Sequence, residues 1–437
     1  MKYYSTENNS PLVSLTEAVS QGTAPDGGLY MPEHIPYIPM AFFRNINEMT
    51  LKDIAYIVID MLLGDDLDQE TVRALVNETL TFEIPLVPTN DSRIMSLEMF
   101  HGPTFTSKDI GARFMAKLLS TLGICGGDSP TRIIIAGSGN SGSAVADAFA
   151  EIHNTKTTIL YPKGNLSKLQ LAKIYSKPDK VLALEVRGSY DDCIAIQRTA
   201  IFDGVLGNNV RIAPANSVNI ARIIPLVAVF FHLYARMTAN GASPDSIVVS
   251  IPTGNLTALV SGLIAKKMGL PIKRFIAATN SNDALGRFVR NEKETNHDII
   301  KTLANEIDIK SPSNLPRIKE LYKNDINRFI ADTQVIESND ESIRLGMTES
   351  FLVGRYLTDP HGGLAYTALK KGLRTGENGV FLSTFHPALY SSIVEDITGV
   401  IPDNPKNIPD LNVIPKRPLS VPPIYQAAKR IIQQFNL

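Results

Sequence analysis

The run Phe100-His101-Gly102-Pro103-Thr104-Phe105-Thr106-Ser107-Lys108-Asp109-Ile110-Gly111 sets a lysine where an amphipathic helix begins. The apolar face of that helix uses Ile110, Phe114, Leu118 and Leu122. Ser107 reads as the N-cap, which puts Lys108 in the first turn, where the helix dipole opposes a cation. Breaking this local rule favours the neutral amine, the form that condenses with a carbonyl or takes a proton. The competing reading is a solvated surface lysine paired with Asp109.

Three strand-to-helix junctions could hold an anion. The first runs Gly137-Ser138-Gly139-Asn140-Ser141-Gly142, the second Thr253-Gly254-Asn255, and the third Ser383-Thr384-Phe385-His386-Pro387. Taken singly, each is ordinary punctuation between strand and helix. Three in one chain point to the ligand crevice at one edge of a parallel sheet. Gly137, Gly139 and Gly142 also satisfy the dinucleotide fingerprint, which makes a dehydrogenase a rival. The next strand ends Tyr161-Pro162-Lys163, without the acid that would take a ribose hydroxyl, although a lysine suits the phosphorylated ribose of NADP.

Other chemistries find little support. There is no Walker loop and no G-x-S-x-G elbow. The 7 histidines are scattered without metal-ligand spacing, so no metal is expected. The 2 cysteines, Cys125 and Cys193, form no framework and suggest a reducing, cytoplasmic setting. Lys plus Arg number 43 against 44 Asp plus Glu, a net charge of -1 in 437 residues, which argues against a nucleic-acid partner. The start lacks a signal-peptide pattern, and the apolar run from Arg222 to Arg236, interrupted by Pro225 and His232, reads as too short for a membrane span.

The elements that must position these groups alternate. Strands are predicted at Arg132–Ala136, Thr158–Tyr161, Val181–Val186, Arg211–Ala213, Ile247–Ile251, Phe275–Ala278 and Val380–Leu382, with amphipathic helices between them. The fold class is therefore α/β with parallel sheets covered on both faces. Residues 1–83 read as a helical N-terminal domain and 84–437 as the catalytic region, its smaller lobe at roughly 112–225. Residues 290–345 read as a polar helical insertion. The segment 402–423, with seven prolines, reads as extended, ahead of a short helix at Tyr425–Phe435.

Several stretches together resemble the threonine synthase family, in the pyridoxal-phosphate fold shared with tryptophan synthase β (fold type II). Gly22–Pro32 resembles the family's N-terminal signature, and Phe100–Met115 its lysine motif F-H-G-P-T-x-x-F-K-D-x-G-x-R-F-M. Ala215-Asn216-Ser217-Val218-Asn219 with Arg222 resembles A-N-S-[IV]-N-x-x-R, and Leu270–Asn280, Asp359–Leu369 and Phe381–Pro387 match further stretches. The resemblance implies two α/β lobes, a helical N-terminal domain, and pyridoxal 5'-phosphate carried on Lys108. It implies that Asn140, Thr253, Gly254, Asn255 and Thr384 also bind the cofactor. Ser138, Gly139, Asn140, Ser141, Asn216, Ser217 and Arg222 would bind substrate.

The implied activity converts O-phospho-L-homoserine and water to L-threonine and phosphate, by a monomer or homodimer acting on a small amino-acid phosphate. The chain departs from the family pattern at Ser107, Gly137, Asn165, Leu256-Thr257 and Leu389. At 165 and 389 the family carries lysines, and Lys168 or Arg222 could replace their charge. A glycine is usual at 257, where threonine would approach a phosphate less closely. These departures keep open a paralogue that eliminates or replaces a group on another amino acid. A non-catalytic binding protein and the NADP-dependent dehydrogenase remain further alternatives.

Overall fold

The structure, a computed structural model, describes residues 1–137, 139–164, 166–203, 211–213, 215–292, 298–406 and 408–435. It divides into two compact units that cut across the boundary expected near residue 83. One comprises Met1–Leu15, Thr23–His101 and Ile223–Asn404; the other comprises Thr16–Gly22, Gly102–Arg222 and Pro405–Leu437.

The first unit is built on a six-stranded sheet in the order Thr333–Glu337, Arg274–Thr279, Ile247–Pro252, Asn378–Ser383, Ile94–Glu98, Leu86–Pro88. Every pairing is parallel except the last, which is antiparallel. The central strands are buried along nearly all their length, as continuous runs such as Ile247-Val-Val-Ser-Ile251 require when helices cover both faces. In the N-terminal part, Thr50 and Asp53 form a capping box that starts the helix Leu51–Leu63, and Asp68 caps Gln69–Thr79. A two-stranded antiparallel ribbon pairs Tyr3–Ser5 with Tyr30–Pro32.

Two expectations change here. Residues 290–345 are not wholly a helical insertion. Their helices Leu315–Leu321 and Ile326–Asp332 lead into Thr333–Glu337, an edge strand that pairs with Arg274–Thr279. The apolar run continues farther than the sequence reading allowed, so that Ile220–Ala239 is long and apolar enough to cross a membrane. Of its most apolar 18 residues, 94% are buried inside the protein instead. Its helical part Ile224–Ala239 packs against Leu51–Leu63 and Thr257–Lys267 as a core helix.

That helix carries His232, whose Nε2–H donates to the Ile84 carbonyl at 2.9 Å while burial pushes the imidazole down to about 4. The unfolded chain, titrating near 6.5, binds more protons between these values, so stability rises with pH across that window. The expected loss on acidification from pH 6.5 to 4 is about 3 kcal/mol from this group. Urea melts at stepped pH values check it: His232→Gln should flatten the slope, and an unchanged slope would remove His232 as its source.

The second unit holds a five-stranded, all-parallel sheet in the order Ser420–Val421, Val181–Val186, Thr155–Pro162, Thr131–Ala136, Arg211–Ala213. Ile134, Leu160, Leu184, Cys193, Ile196, Val421, Ala428 and Ile432 share one core. The proline-rich stretch thus supplies an edge strand, and the terminal helix Tyr425–Gln434 belongs to this unit. Arg132, buried, ties that helix down through the carbonyls of Ile432 and Phe435 at 2.9 and 2.7 Å.

Candidate active site

In the second unit, the turn ahead of the helix Lys108–Thr121 is held on every side. Asp109, fully buried, reaches back to accept from the Thr104 amide at 2.8 Å and the Thr104 hydroxyl at 2.5 Å. Lys173, buried on the helix Lys168–Tyr175, donates to the Thr104 carbonyl and lies 4.1 Å from the Phe105 ring centroid. Phe105 takes the left-handed conformation, at φ 60°. Thr106 Oγ1 then accepts the Lys108 amide at 3.2 Å. Ser107 does stand at the N-cap, but in a helical conformation without a side-chain cap bond. Thr106 supplies the hydroxyl instead. Asp109 is an interior group committed to Thr104, not the surface partner of Lys108.

Burial pushes the Asp109 carboxyl up, against the Thr104 hydrogen bonds and the attraction of Lys173. Burial likewise pushes the Lys173 ammonium down, opposed by Asp109 and Asp147. Arg222, fully buried, is lowered by desolvation to about 10, against the pull of Asp109. It packs against Gly111 as an interior charge, whereas Lys168 is exposed at the start of its helix.

The glycine loop of this unit joins Thr131–Ala136 to the helix Asn140–Ala150. Gly139 stands at its N-cap with φ 55°, where a Cβ would meet Leu166 and Gln170 at 2.7 and 3.0 Å. Asn140 is buried, Ser141 half-buried, and Ser138 lies outside the described residues, as does Asn165. Asn216 and Ser217 are half-buried, and the Asn216 Oδ1 is buried without a hydrogen-bond partner among the described residues.

In the first unit, Thr253 follows the strand Ile247–Pro252. Its amide donates to the Ala278 carbonyl at 2.8 Å and its hydroxyl to the Ile251 carbonyl at 2.6 Å. Asn255 accepts from the Ser313 amide on Oδ1 at 2.7 Å and from Asn314 Nδ2 on its carbonyl at 2.9 Å. The positive φ falls on Leu256, at 64°, and Thr257 is already the first residue of the helix Thr257–Lys267. The objection expected at residue 257 therefore does not arise, since that residue needs no left-handed backbone. Thr384 is buried just beyond the strand Asn378–Ser383. Beneath it, Ser383 Oγ and Ser96 Oγ lie 2.7 Å apart, and Tyr356 links them to Glu98. Leu389 is buried in the turn Pro387–Tyr390 and brings no charge.

Comparison with known proteins decides among the alternatives. The family described as "Threonine synthase N terminus" matches residues 2–80, and "Pyridoxal-phosphate dependent enzyme" matches residues 86–384. The threonine synthase of Escherichia coli (strain K12) is 33% identical over 436 residues, covering 100% of both chains. That of Haemophilus influenzae is 34% identical over 95% of each. The chain belongs to the threonine synthase family. The crystal structure of the Escherichia coli threonine synthase superposes with a TM-score of 0.89 at 32% identity, covering 100% of both chains. A pyridoxal-phosphate-bound threonine synthase from Brucella melitensis gives 0.90 at 26% identity, covering 100% of this chain and 99% of that one. A diaminopropionate ammonia lyase, at 14% identity and TM-score 0.58, shares the fold alone.

Membership in this family makes pyridoxal phosphate the cofactor and overturns the dehydrogenase and non-catalytic alternatives. The residues present fit the group. The helix Thr257–Lys267 begins without a side-chain cap bond, so its first amides suit a phosphate. Asn216 Oδ1, buried without a hydrogen-bond partner among the described residues, is an acceptor that a donor on the substrate would satisfy. Sequence reasoning missed Lys173, the role of Asp109, and the bracing of Asn255 by Ser313 and Asn314. One signal for Lys173 was available: it interrupts the apolar run Leu171, Ala172, Ile174.

Proposed function

We propose that this chain converts O-phospho-L-homoserine and water to L-threonine and phosphate. The observation that carries the reading is Lys108, set at a helix start behind a fully bonded turn, in a chain similar to threonine synthases from end to end. Bound pyridoxal phosphate supplies an electron sink for charge developing on the amino acid. Lys108 Nζ would hold the cofactor, and its amine would move protons at Cα and Cβ of the substrate while phosphate leaves Cγ. Protonation at Cγ and water addition at Cβ complete threonine. Thr253, Gly254 and Asn255 would hold the cofactor phosphate, and Asn140 and Thr384 would also bind the cofactor. Ser138, Gly139, Asn140, Ser141, Asn216, Ser217 and Arg222 serve the substrate. The balanced charge and scarce cysteine support a cytoplasmic enzyme without nucleic-acid partners, acting as a monomer or homodimer in the reading taken from the family resemblance.

Purified protein loaded with the cofactor should release threonine and phosphate in equal amounts from O-phospho-L-homoserine. No product from a preparation that keeps its visible cofactor band would reject the assignment. The uncharged Leu389 favours a second reading, a less anionic leaving group, which O-acetyl-L-homoserine in the same assay would reveal.

A further inference from the structure

The turn before Lys108 contains an arrangement that the reaction does not itself use. Thr104 has three polar groups besides its place in the chain, and two charged side chains take all of them. Asp109 accepts from its amide and its hydroxyl, and Lys173 donates to its carbonyl. The next residue, Phe105, is bulky and left-handed, a conformation that surroundings must impose. Lys173 lies over the Phe105 ring, and the Phe105 amide donates to the Gly102 carbonyl at 3.0 Å. One residue farther on, Thr106 Oγ1 accepts from the Lys108 amide, so the fixed turn passes directly into the lysine's own backbone.

Lys173 comes from a separate element with a firm footing. Its helix, Lys168–Tyr175, opens with a capping box between Ser167 and Gln170. A cation nine-tenths buried is costly unless bound, and here a carbonyl, an aromatic face and a nearby carboxylate meet it. A lysine that only filled space could be replaced by methionine, which has similar length and no charge.

We propose that Lys173 is a positioning residue for Lys108: with Asp109 it locks Thr104 and Phe105, and the lock sets where the Lys108 helix begins. The proposal rests on Lys108 being the cofactor-bearing residue.

Amide hydrogen exchange on the full chain, with and without pyridoxal phosphate, tests it in wild type, Lys173→Met and Lys173→Arg. In Lys173→Met, exchange over residues 104–108 should quicken about tenfold while Thr131–Ala136 stays as in wild type. Cofactor affinity of the apoprotein should fall about tenfold, and kcat should drop with KM little changed. Lys173→Arg, which keeps a cation, should restore much of the protection. Wild-type exchange and cofactor affinity in Lys173→Met would overturn the proposal. Should that variant fail to fold, Phe105→Leu removes the ring face while keeping an apolar side chain, and unchanged exchange there overturns it equally. Exchange in the apoprotein needs no cofactor. A wild type that binds no pyridoxal phosphate would therefore defeat the reading of Lys108 and leave the exchange result standing.

Discussion

Lys108→Ala is expected to abolish threonine formation, by at least about 10³-fold, and to remove the visible band of the lysine-bound cofactor. The fold should survive. Lys108 is only half-buried at the first position of a 14-residue helix, and alanine is a better helix former there. The turn before it depends on Thr104, Phe105, Asp109 and Lys173, none of which the substitution touches. Its melting temperature should therefore stay within a few degrees of wild type. Borohydride reduction of the wild-type holoenzyme, followed by peptide mapping, should put the cofactor mass on the peptide containing Lys108. A label on any other lysine, or a variant that keeps most of its activity, would overturn the assignment.

The sequence made the central strands legible because they are buried on both faces. Ile133-Ile-Ile135 and Ile247-Val-Val249 leave no position facing water, so continuous β-branched runs stand out. Strands away from the sheet centres carry weaker patterns. Ile94–Glu98 alternates with Ser96 and Glu98, yet Ser96 is fully buried because Ser383 and Tyr356 hydrogen-bond it. Thr333–Glu337 is a half-exposed edge and reads as polar. Ser420–Val421 lies among prolines, and the edge position resolves the conflict. The Glu185 and Arg187 amides donate to the Leu419 and Val421 carbonyls, and the prolines, which have no N–H to give, are tolerated on the open edge.

The candidate site shows the same division. Lys108 was legible because a cation at a helix start breaks a local rule that can be seen in eight residues. Asp109 was not, because its partner, Thr104, is reached by the chain folding back on itself. Lys173 was not, because it comes from a different helix 65 positions later. Chemistry carried by one residue and its neighbours survives in one dimension. Support delivered across the fold does not.

Gly254→Val should lower pyridoxal phosphate affinity about 100-fold, measured by fluorescence titration of the apoprotein. A Cβ at residue 254 would fall 2.7 Å from Ile307 Cβ and 2.8 Å from Ile307 Cα, distances that real side chains do not tolerate. The loop cannot easily retreat, because Thr253 is bonded to Ala278 and Ile251, and Asn255 to Ser313 and Asn314. Nor can Ile307. The Glu306 amide donates to His361 Nε2 at 3.2 Å, and His361 is fixed in turn by Asp359 at 2.6 Å. On the other side, Asp308 accepts from Asn280 and Thr302, both at 2.7 Å. With both layers pinned, the strain has to appear at Leu256, already left-handed, and in the first amides of the helix Thr257–Lys267. Those amides suit a phosphate and adjoin the Thr253–Asn255 loop proposed to hold it, so affinity should fall before overall stability does. Gly127→Ala is the control: nothing lies within 4 Å of its Cβ position, and it should change stability by less than about 0.5 kcal/mol. Wild-type cofactor affinity in Gly254→Val would mean that this loop does not cradle the phosphate, leaving the amides of the Asn140–Ala150 helix as the alternative cradle.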